Sequence, residues 1–236
     1  TATHFHGRVL ASYREELRLL TTSGWNRDRL AEMGLDPYVV GVGIDLETWR
    51  EERGVRRRAD LVLSTGRTNP LKNFGLTADA WRALDRPGAE LRLFGSEPHL
   101  GEEHGLPYVA APSDDEVNRL YNEATVLVST SAHEGFALPP LEAMAAGCAV
   151  VCTDAHGNRD FCVDGENCLM PEPTPDAVAA AIARLLDDRA LRERLVAAGR
   201  ATARRYGWEP RIDVLEAVYE EAARARPAAN PTSSAS

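Results

Sequence analysis

Lysine is almost absent from this sequence. All but one of the 27 basic residues are arginines, and the exception is Lys72. The basic residues are outnumbered by 36 acidic ones, which gives a formal net charge of −9 at pH 7. This balance argues against a general nucleic-acid-binding protein, which needs a basic face, so we expect no nucleic-acid partner.

Long apolar runs are missing as well. No stretch approaches the roughly 18 consecutive apolar residues of a membrane-spanning helix. No secretory pattern opens the chain, so we predict a cytoplasmic protein with reduced thiols. The chain starts at Thr1 rather than at methionine, which predicts a processed chain or a piece of a longer one.

Cysteine is scarce and is confined to one quarter of the chain: Cys148, Cys152, Cys162 and Cys168. No C-x2-C pair of the kind common in zinc sites occurs, and Cys148 and Cys152 lie along one predicted strand. We therefore predict buried free thiols and no metal site.

The remaining composition, 44% hydrophobic and 27% charged, is ordinary for a globular protein. The 236 residues suffice for one core and a fragment of another domain. The charged segment 47–60 predicts a linker or a solvated face. We place a domain boundary near residue 47, a main domain over 48–226, and a disordered tail over 227–236.

Strand-like and helix-like segments alternate from residue 61 onward. The predicted strands are 61–64, 90–94, 108–110, 125–129 and 148–152, and the predicted helices are 74–84, 114–123, 139–146, 176–186, 190–203 and 210–223. Before them we predict a helix over 8–33, broken at Ser23-Gly24, and a strand over 38–44. The alternation predicts an α/β fold, a doubly wound, Rossmann-like parallel sheet with a carboxy-terminal helix. Ligands of such sheets bind beyond the carboxyl ends of the strands.

The loop after the first of these strands carries Gly66, Arg67 and Lys72. A glycine allows close backbone approach, and two cations on one such loop suit a diphosphate. Two surface cations on an ordinary loop are the simpler interpretation, and this loop alone does not decide between them.

A second loop, after the predicted strand 125–129, carries Glu134 and Gly135 and leads into a helix with Pro139 near its start. A helix N-terminus offers free N–H groups and the positive end of the helix dipole to an anion. Glu142, about one turn into the helix, could accept hydrogen bonds from a diol such as ribose. Alternatively, Glu142 is a first-turn acid that favours the helix dipole, and Glu134 is a solvated loop charge.

Taken together, these segments resemble the large GT-B family of retaining glycosyltransferases often called family 4, or glycosyl transferases group 1. Glu134 and Glu142 form its E-x7-E signature, within Glu-Gly-Phe-Ala-Leu-Pro-Pro-Leu-Glu. Further segments that resemble the family are Gly41-Val42-Gly43-Ile44-Asp45, Gly66-Arg67 with Lys72, residues 147–154, and Asp164-Gly165-Glu166-Asn167. E-x7-E alone is weak, whereas the set in this order is specific and covers most of the chain.

The resemblance implies a role for each of these residues. Arg67 and Lys72 would hold the donor diphosphate and stabilise charge on the leaving group, and Glu134 would contact the transferred sugar. Glu142 would bind ribose. The other implied donor-binding residues are Gly66, Gly135, Phe136, Ala137 and Leu138. His133 adjoins the site and is a candidate for a contact with the sugar, and a loop histidine that packs locally is the alternative. The resemblance also implies retention of anomeric configuration, no metal ion and no cofactor besides the nucleotide-diphosphate sugar. Base recognition is expected near Gly95-Ser96 and Pro112-Ser113.

Some features depart from the family pattern. The family usually has glycine where this chain has Ala137, and the loop 155–160 lacks the usual pair of glycines and final glutamate. The family has two Rossmann-like domains, and residues 1–47 hold only the end of the amino-terminal acceptor domain and the junction. We therefore expect a chain that binds donor but transfers poorly, with an unknown acceptor and any peripheral membrane contact in the missing domain.

Two alternatives belong to other functional classes. One is a non-catalytic nucleotide-sugar-binding module, or half of a two-chain transferase. The other is a GT-B-like sugar-nucleotide epimerase, which would form a product from nucleotide sugar without an acceptor.

Overall fold

The computed structural model describes residues 7–8, 11–14 and 17–225. The predicted tail 227–236 lies outside these ranges, as does part of the predicted helix 8–33. The strands are β1 Leu20–Thr21, β2 Tyr38–Val39, β3 Arg58–Thr65, β4 Glu90–Gly95, β5 Tyr108–Ala110, β6 Ala124–Ser129 and β7 Ala149–Cys152. The helices are α1 Gly24–Ala31, α2 Phe74–Leu84, α3 His99–His104, α4 Asp114–Glu123, α5 Leu138–Ala145, α6 Pro175–Asp187, α7 Arg189–Arg204 and α8 Trp208–Ala225.

Five of these strands form one sheet in the order β5-β4-β3-β6-β7, with every neighbouring pair parallel. The chain runs from β3 outward to β5 and then crosses back to place β6 and β7 on the other side of β3. The predicted doubly wound α/β sheet is thereby confirmed. Because the strand order reverses between β3 and β6, the loops after these two strands flank the ligand crevice of this fold class.

Helices cover both faces of the sheet, as the nearly continuous apolar runs of its strands require. Alternate residues of β3 point to opposite faces. Leu61 and Leu63 join one buried cluster with Tyr121 of α4 and Leu141 of α5. On the other face Val62 joins a second cluster, with residues of α2 and α6. No helix within the described ranges is both long and apolar enough to cross a membrane.

The amino-terminal segment differs from its prediction as a long helix. Residues Leu20–Thr21 form a strand that pairs with Tyr38–Val39, and the helix begins only at Gly24. Ser23 is its N-cap and accepts a hydrogen bond from the N–H of Asn26. The predicted break was therefore a helix start. The predicted strand 38–44 shortens to two residues, and soon after it Gly41 adopts a positive φ of 78°.

The charged segment 47–60 is not a free linker, although most of its residues are exposed, as the alternative of a solvated face predicts. Backbone N–H groups of Arg50 and Glu52 bond the side chains of Asn118 and Asn122 on α4 at 3.1 and 2.9 Å. Arg57 donates to the carbonyl oxygens of Tyr121 at 3.0 Å and Ala146 at 3.2 Å, and also to that of Ala124. A cation here satisfies carbonyls at the carboxyl ends of α4 and α5.

Replacing Arg57 should therefore destabilise the fold. We expect Arg57→Ala to lower the free energy of unfolding by about 2–4 kcal/mol, because several buried carbonyls lose a charged donor. The matched control is Arg56→Ala, an exposed neighbour, for which a change within about 0.5 kcal/mol is expected. Urea unfolding of the parent and of the two variants measures both changes in unfolding free energy. Equal stability of the two variants would contradict the capping role of Arg57.

Candidate functional site

The loops after β3 and β6 are joined to each other by backbone hydrogen bonds. The N–H groups of Ala132 and His133 both donate to the carbonyl of Leu71, at 2.8 and 3.4 Å. Leu71 belongs to a one-turn 3-10 helix, Pro70–Lys72, whose start is capped by the side chain of Asn69. This rigid turn fixes the position from which Lys72 reaches across the crevice.

Lys72 and Glu134, which were both predicted to belong to the site, form an ion pair. The Lys72 Nζ atom lies 2.6 Å from Glu134 Oε1, and Ser131 Oγ donates to the same oxygen at 2.7 Å. The side chains are 32% and 13% exposed. The ion pair is thus partly shielded from water, where a charged hydrogen bond is stronger than at an open surface.

Arg67 lies on the other side of the same crevice. Its guanidinium donates to Ser96 Oγ at 2.8 Å, and the neighbouring Thr68 N–H donates to Glu97 at 3.0 Å. The hydrogen bonds from Thr68 hold the pKa of the partly exposed Glu97 carboxyl below its usual value. A cavity of about 210 Å³ between the loops is lined by Thr65, Arg67, Asn69, Lys72, Glu97, Ser129, Ser131, Glu134 and Pro139.

A larger cavity of about 630 Å³ lies at the opposite end of the sheet, near the starts of β3 and β6. Several of its arginines are occupied by the protein itself: Arg57 donates to the carbonyls described above, and Arg192 donates to those of Leu185 and Leu186. We place the site in the smaller cavity, because it lies at the carboxyl ends of the strands and its charges converge.

Gly66 leaves room for a neighbouring aromatic ring. A Cβ at this position would collide with the ring of Tyr108, whose hydroxyl donates to the Gly66 carbonyl at 3.1 Å. The Gly66 N–H is also used, since it donates to the carbonyl of Phe94. The packing of Tyr108 therefore requires glycine at this position.

The loop 135–138 presents backbone donors. Among the hydrogen bonds of the described residues, none has the N–H of Gly135, Phe136, Ala137 or Leu138 as donor. The helix α5 begins at Leu138, one residue earlier than predicted, and prolines 139 and 140 remove two N–H groups from its first turn. Free donors for an anion therefore come from the loop more than from the helix itself.

Two residues of this loop have buried side chains. Phe136 packs against Phe161 and Tyr206, with ring centroids at 5.2 and 5.8 Å, so only its backbone can face the site. Ala137 is buried and adopts a left-handed conformation with φ 79° and ψ 72°. This conformation explains the glycine usual at this position, because a Cβ is disfavoured there.

Glu142 lies apart from the ion pair and does not line the 210 Å³ cavity. Its carboxylate accepts a hydrogen bond from the hydroxyl of Tyr121 at 3.1 Å, and Tyr121 is fully buried. Burial raises the pKa of Glu142 from 4.5 to about 7, although the hydrogen bond from Tyr121 acts in the opposite direction. Glu142 is thus a carboxyl group that changes charge near neutral pH, unlike the simple first-turn acid of the alternative interpretation.

His133 belongs to an aromatic group that sequence reasoning did not anticipate. Trp25 stacks on His156 with centroids 4.7 Å apart and meets His133 edge-on at 5.0 Å. Asp160 caps α1 by accepting from the Gly24 N–H at 2.9 Å. The loop 155–160, in doubt from sequence, thereby docks the amino-terminal segment against the site.

Several further residues of the site were missed from sequence: Trp25, Glu97, Tyr108, Tyr121 and Ser131. Ser96 lies in a loop where base recognition was expected. Four of the missed residues, Trp25, Glu97, Tyr108 and Tyr121, have no distinctive local pattern, because their partners lie far along the chain. Ser131 alone had an indication, since it follows β6 directly and precedes Glu134 by three residues.

Comparison with known proteins shows the family of this chain. Residues 45–202 match the family model described as "Glycosyl transferases group 1". The phosphatidyl-myo-inositol mannosyltransferase of Mycobacterium tuberculosis is 30% identical over 244 residues, which cover 94% of this chain and 64% of the relative. The D-inositol 3-phosphate glycosyltransferase of Xylanimonas cellulosilytica is 30% identical over 252 residues, covering 93% and 58%.

Solved structures share the fold. Sucrose-phosphate synthase from Thermosynechococcus elongatus superposes with a TM-score of 0.78 at 24% identity, over 88% of this chain and 58% of that one. HepE of Anabaena, in complex with UDP and glucose, superposes with a TM-score of 0.74 at 18% identity, over 88% and 63%. The chain therefore spans less than two thirds of the length of these proteins. Since the family match covers more than half of its residues, the chain belongs to the group 1 glycosyl transferase family.

Proposed function

We propose that this chain is the donor-binding part of a retaining glycosyltransferase that takes a sugar from a nucleotide-diphosphate sugar. The observation that carries the proposal is the convergence of Arg67, Lys72 and Glu134 on one cavity at the point where the strand order reverses. The similarity to a mannosyltransferase and to HepE of Anabaena, solved with UDP and glucose, supports this class of donor.

The two cations suit the leaving group. When the bond between the sugar and the diphosphate breaks, negative charge builds up on the departing phosphate oxygens. Arg67 and Lys72 supply fixed positive charge beside that position, and the free N–H groups of 135–138 add donors. Two side-chain cations can supply the charge that a metal ion supplies elsewhere, so the reaction is proposed to need no metal and no further cofactor.

Glu134 holds Lys72 in place and faces the same cavity. A phosphate that binds Lys72 competes with Glu134 for the ammonium group, so donor binding should free this carboxylate to contact the sugar hydroxyls. Glu142 is proposed to bind ribose from beneath the loop. Accepting hydrogen bonds from two hydroxyls favours its ionised form, so donor binding should strengthen as the pH rises through about 7.

The first test is calorimetry of this chain with UDP, GDP, ADP and dTDP in the presence of EDTA. Saturable binding of one nucleotide is expected and would name the donor class. Binding that requires a divalent cation would contradict metal independence. Binding of none of the four would mean that this chain by itself has no working donor site.

The second test removes the lysine. Lys72→Ala should weaken binding of the selected nucleotide by about 1–3 kcal/mol, because a charged hydrogen bond to phosphate is lost and Glu134 remains uncompensated nearby. The control is Arg82→Ala, which removes an exposed cation paired with Asp79 on α2. Calorimetry of both variants checks this, and unchanged affinity in Lys72→Ala would refute the assignment of the phosphate site.

Glu142→Gln should separate binding from stability. Between pH 4.5 and about 7 the folded protein binds more protons at this group than the unfolded chain, so its contribution to stability falls as the pH rises. Glutamine does not ionise, so the Glu142→Gln variant does not lose stability in this way as the pH rises. We expect it to be more stable than the parent at pH 8, by up to about 3 kcal/mol, and similar at pH 5.

The same Glu142→Gln variant should bind nucleotide more weakly at pH 8, because the amide replaces a charged acceptor with a neutral one. Urea unfolding at the two pH values and calorimetry at pH 8 measure the two effects. A variant that is more stable and binds normally would remove Glu142 from the site.

A pair of glycine substitutions tests the loop that supplies the N–H donors. A Cβ on Gly157 would overlap the backbone of Gly135, whereas one on Gly75 of α2 would meet nothing. Gly157→Ala should therefore cost about 1–3 kcal/mol in unfolding free energy and weaken nucleotide binding. Gly75→Ala should preserve binding and add up to about 1 kcal/mol of stability. If the two variants showed the same changes in unfolding free energy and in nucleotide affinity, the result would argue against the close packing of Gly157 on Gly135.

A further inference from the structure

Three of the four cysteines, none of them adjacent in sequence, converge in one place. The Sγ atoms of Cys152, Cys162 and Cys168 all lie within 4.8 Å of one another, and those of Cys152 and Cys162 are 3.6 Å apart. The residues are 1%, 5% and 0% exposed. All are free thiols, as predicted, but their spacing along the chain does not predict that they form one cluster.

The backbone holds the cluster in place. Cys152 ends β7 and its N–H donates to Leu169 at 3.0 Å, while the Cys162 N–H donates to Asn158 at 2.8 Å. The Asn158 side chain also points an N–H at Cys152 Sγ from 3.7 Å. Hydrogen bonds of this kind orient sulfur ligands in thiolate sites.

Cys148 is not part of this group. It is equally buried, but its thiol donates to the carbonyl oxygen of Ala124 at 3.4 Å. The chain thus contains three clustered thiols and one separate thiol in the same core, which is a built-in control.

The sulfur spacing suits a shared central atom better than a disulfide. An atom bound at about 2.3 Å to each sulfur places the sulfurs about 3.5–4 Å apart. A disulfide needs about 2.05 Å and leaves the third thiol unused. Among the described residues, no histidine or carboxylate joins the three sulfurs as a further ligand. A structural zinc ion, which takes four ligands, is therefore poorly matched.

We propose that Cys152, Cys162 and Cys168 form a three-coordinate site for a soft, trivalent thiophile, for which arsenite is the probe. Soft thiolate sulfur prefers soft ions. Three thiolates neutralise a trivalent centre, whereas one or two positive charges would leave net negative charge in an apolar core, where charge is costly. The reaction is As(OH)₃ plus three thiols giving As(SR)₃ plus three water molecules, with no change in oxidation state.

Access requires movement, because the sulfurs are buried. The turn 161–168, which carries two of the ligands, must open to admit arsenite. Binding should therefore be slower than mixing. Once formed, the adduct should raise the unfolding temperature, since it links this turn to β7.

The test is intact-protein mass spectrometry of the reduced chain after incubation with arsenite. We expect one adduct, with the mass of one arsenic atom less three hydrogens. Cys152→Ala, Cys162→Ala and Cys168→Ala should each lose this adduct, whereas Cys148→Ala should keep it. Circular dichroism checks that the variants are folded, and the parent's adduct mass tests the proposal without any variant.

Other results would overturn the proposal. These are no adduct on the parent, an adduct that retains a hydroxyl and so uses two sulfurs, or loss of the adduct in Cys148→Ala. One equivalent of zinc bound more tightly than arsenite would indicate a fourth ligand instead. A loss of two hydrogens in protein isolated without reductant would indicate a disulfide pair.

Discussion

Parallel pairing of β3 with β6 brings Lys72 and Glu134, the ion pair of the site, together. The pairing brings together two loops that are more than sixty residues apart, and Ala132 then bonds the Leu71 carbonyl. The strand order reverses at this pair, so no crossing helix covers the crevice on that edge. Arg67 and Lys72 come from one loop and Glu134 from the other. Without this strand pairing they would be unrelated surface charges.

The electrostatics of the site follow from balanced charge in a partly shielded cavity. Two cations and two carboxylates line it, and each carboxylate has a positioning partner: Glu134 bonds Lys72 and Ser131, and Glu97 bonds Thr68. Glu134 thus orients Lys72, and Ser96 orients Arg67, without a large cost for buried charge. An incoming diphosphate would replace carboxylate contacts with phosphate contacts, which exchanges one charged hydrogen bond for another. Affinity would then depend on small differences in geometry.

Local chemistry explains which parts of the fold could be predicted. The helix Phe74–Leu84 and the Ser113–Glu116 capping box before α4 have the predicted bounds and contacts, because their signals lie within a few residues. The strand Leu20–Thr21 exists only through its pairing with Tyr38–Val39, which no local pattern encodes. Helix α3 is six residues long with one buried apolar side chain, Leu100, too little for a periodic pattern. The family motif located Lys72, Glu134 and Glu142, but the Tyr121 partner and the thiol cluster depend on tertiary packing.

The backbone is strained at His156, beside the site. His156 has φ 70° and ψ −71°, and Gly157 N–H bonds the Ala155 carbonyl at 2.9 Å, which is a γ-turn of the rare, strained kind. Such a residue persists only where its surroundings determine its conformation. Here Trp25 stacks on its ring and Asp154 accepts from its N–H at 3.1 Å.

The second strained residue is Ala137, in the loop 135–138, which has a φ of 79°. Gly135 lies two residues before Ala137 and packs against Gly157, which follows His156. Its carbonyl accepts a hydrogen bond from Thr22 in the amino-terminal segment, so the loop 135–138 is held between two strained residues. Two non-glycine residues with positive φ would ordinarily be replaced by glycine to relieve the cost. Their side chains instead restrict the loop, Ala137 by its buried methyl group and His156 by its stacking. The free N–H groups of the loop are therefore held in one arrangement before any anion arrives, which lowers the ordering cost of binding.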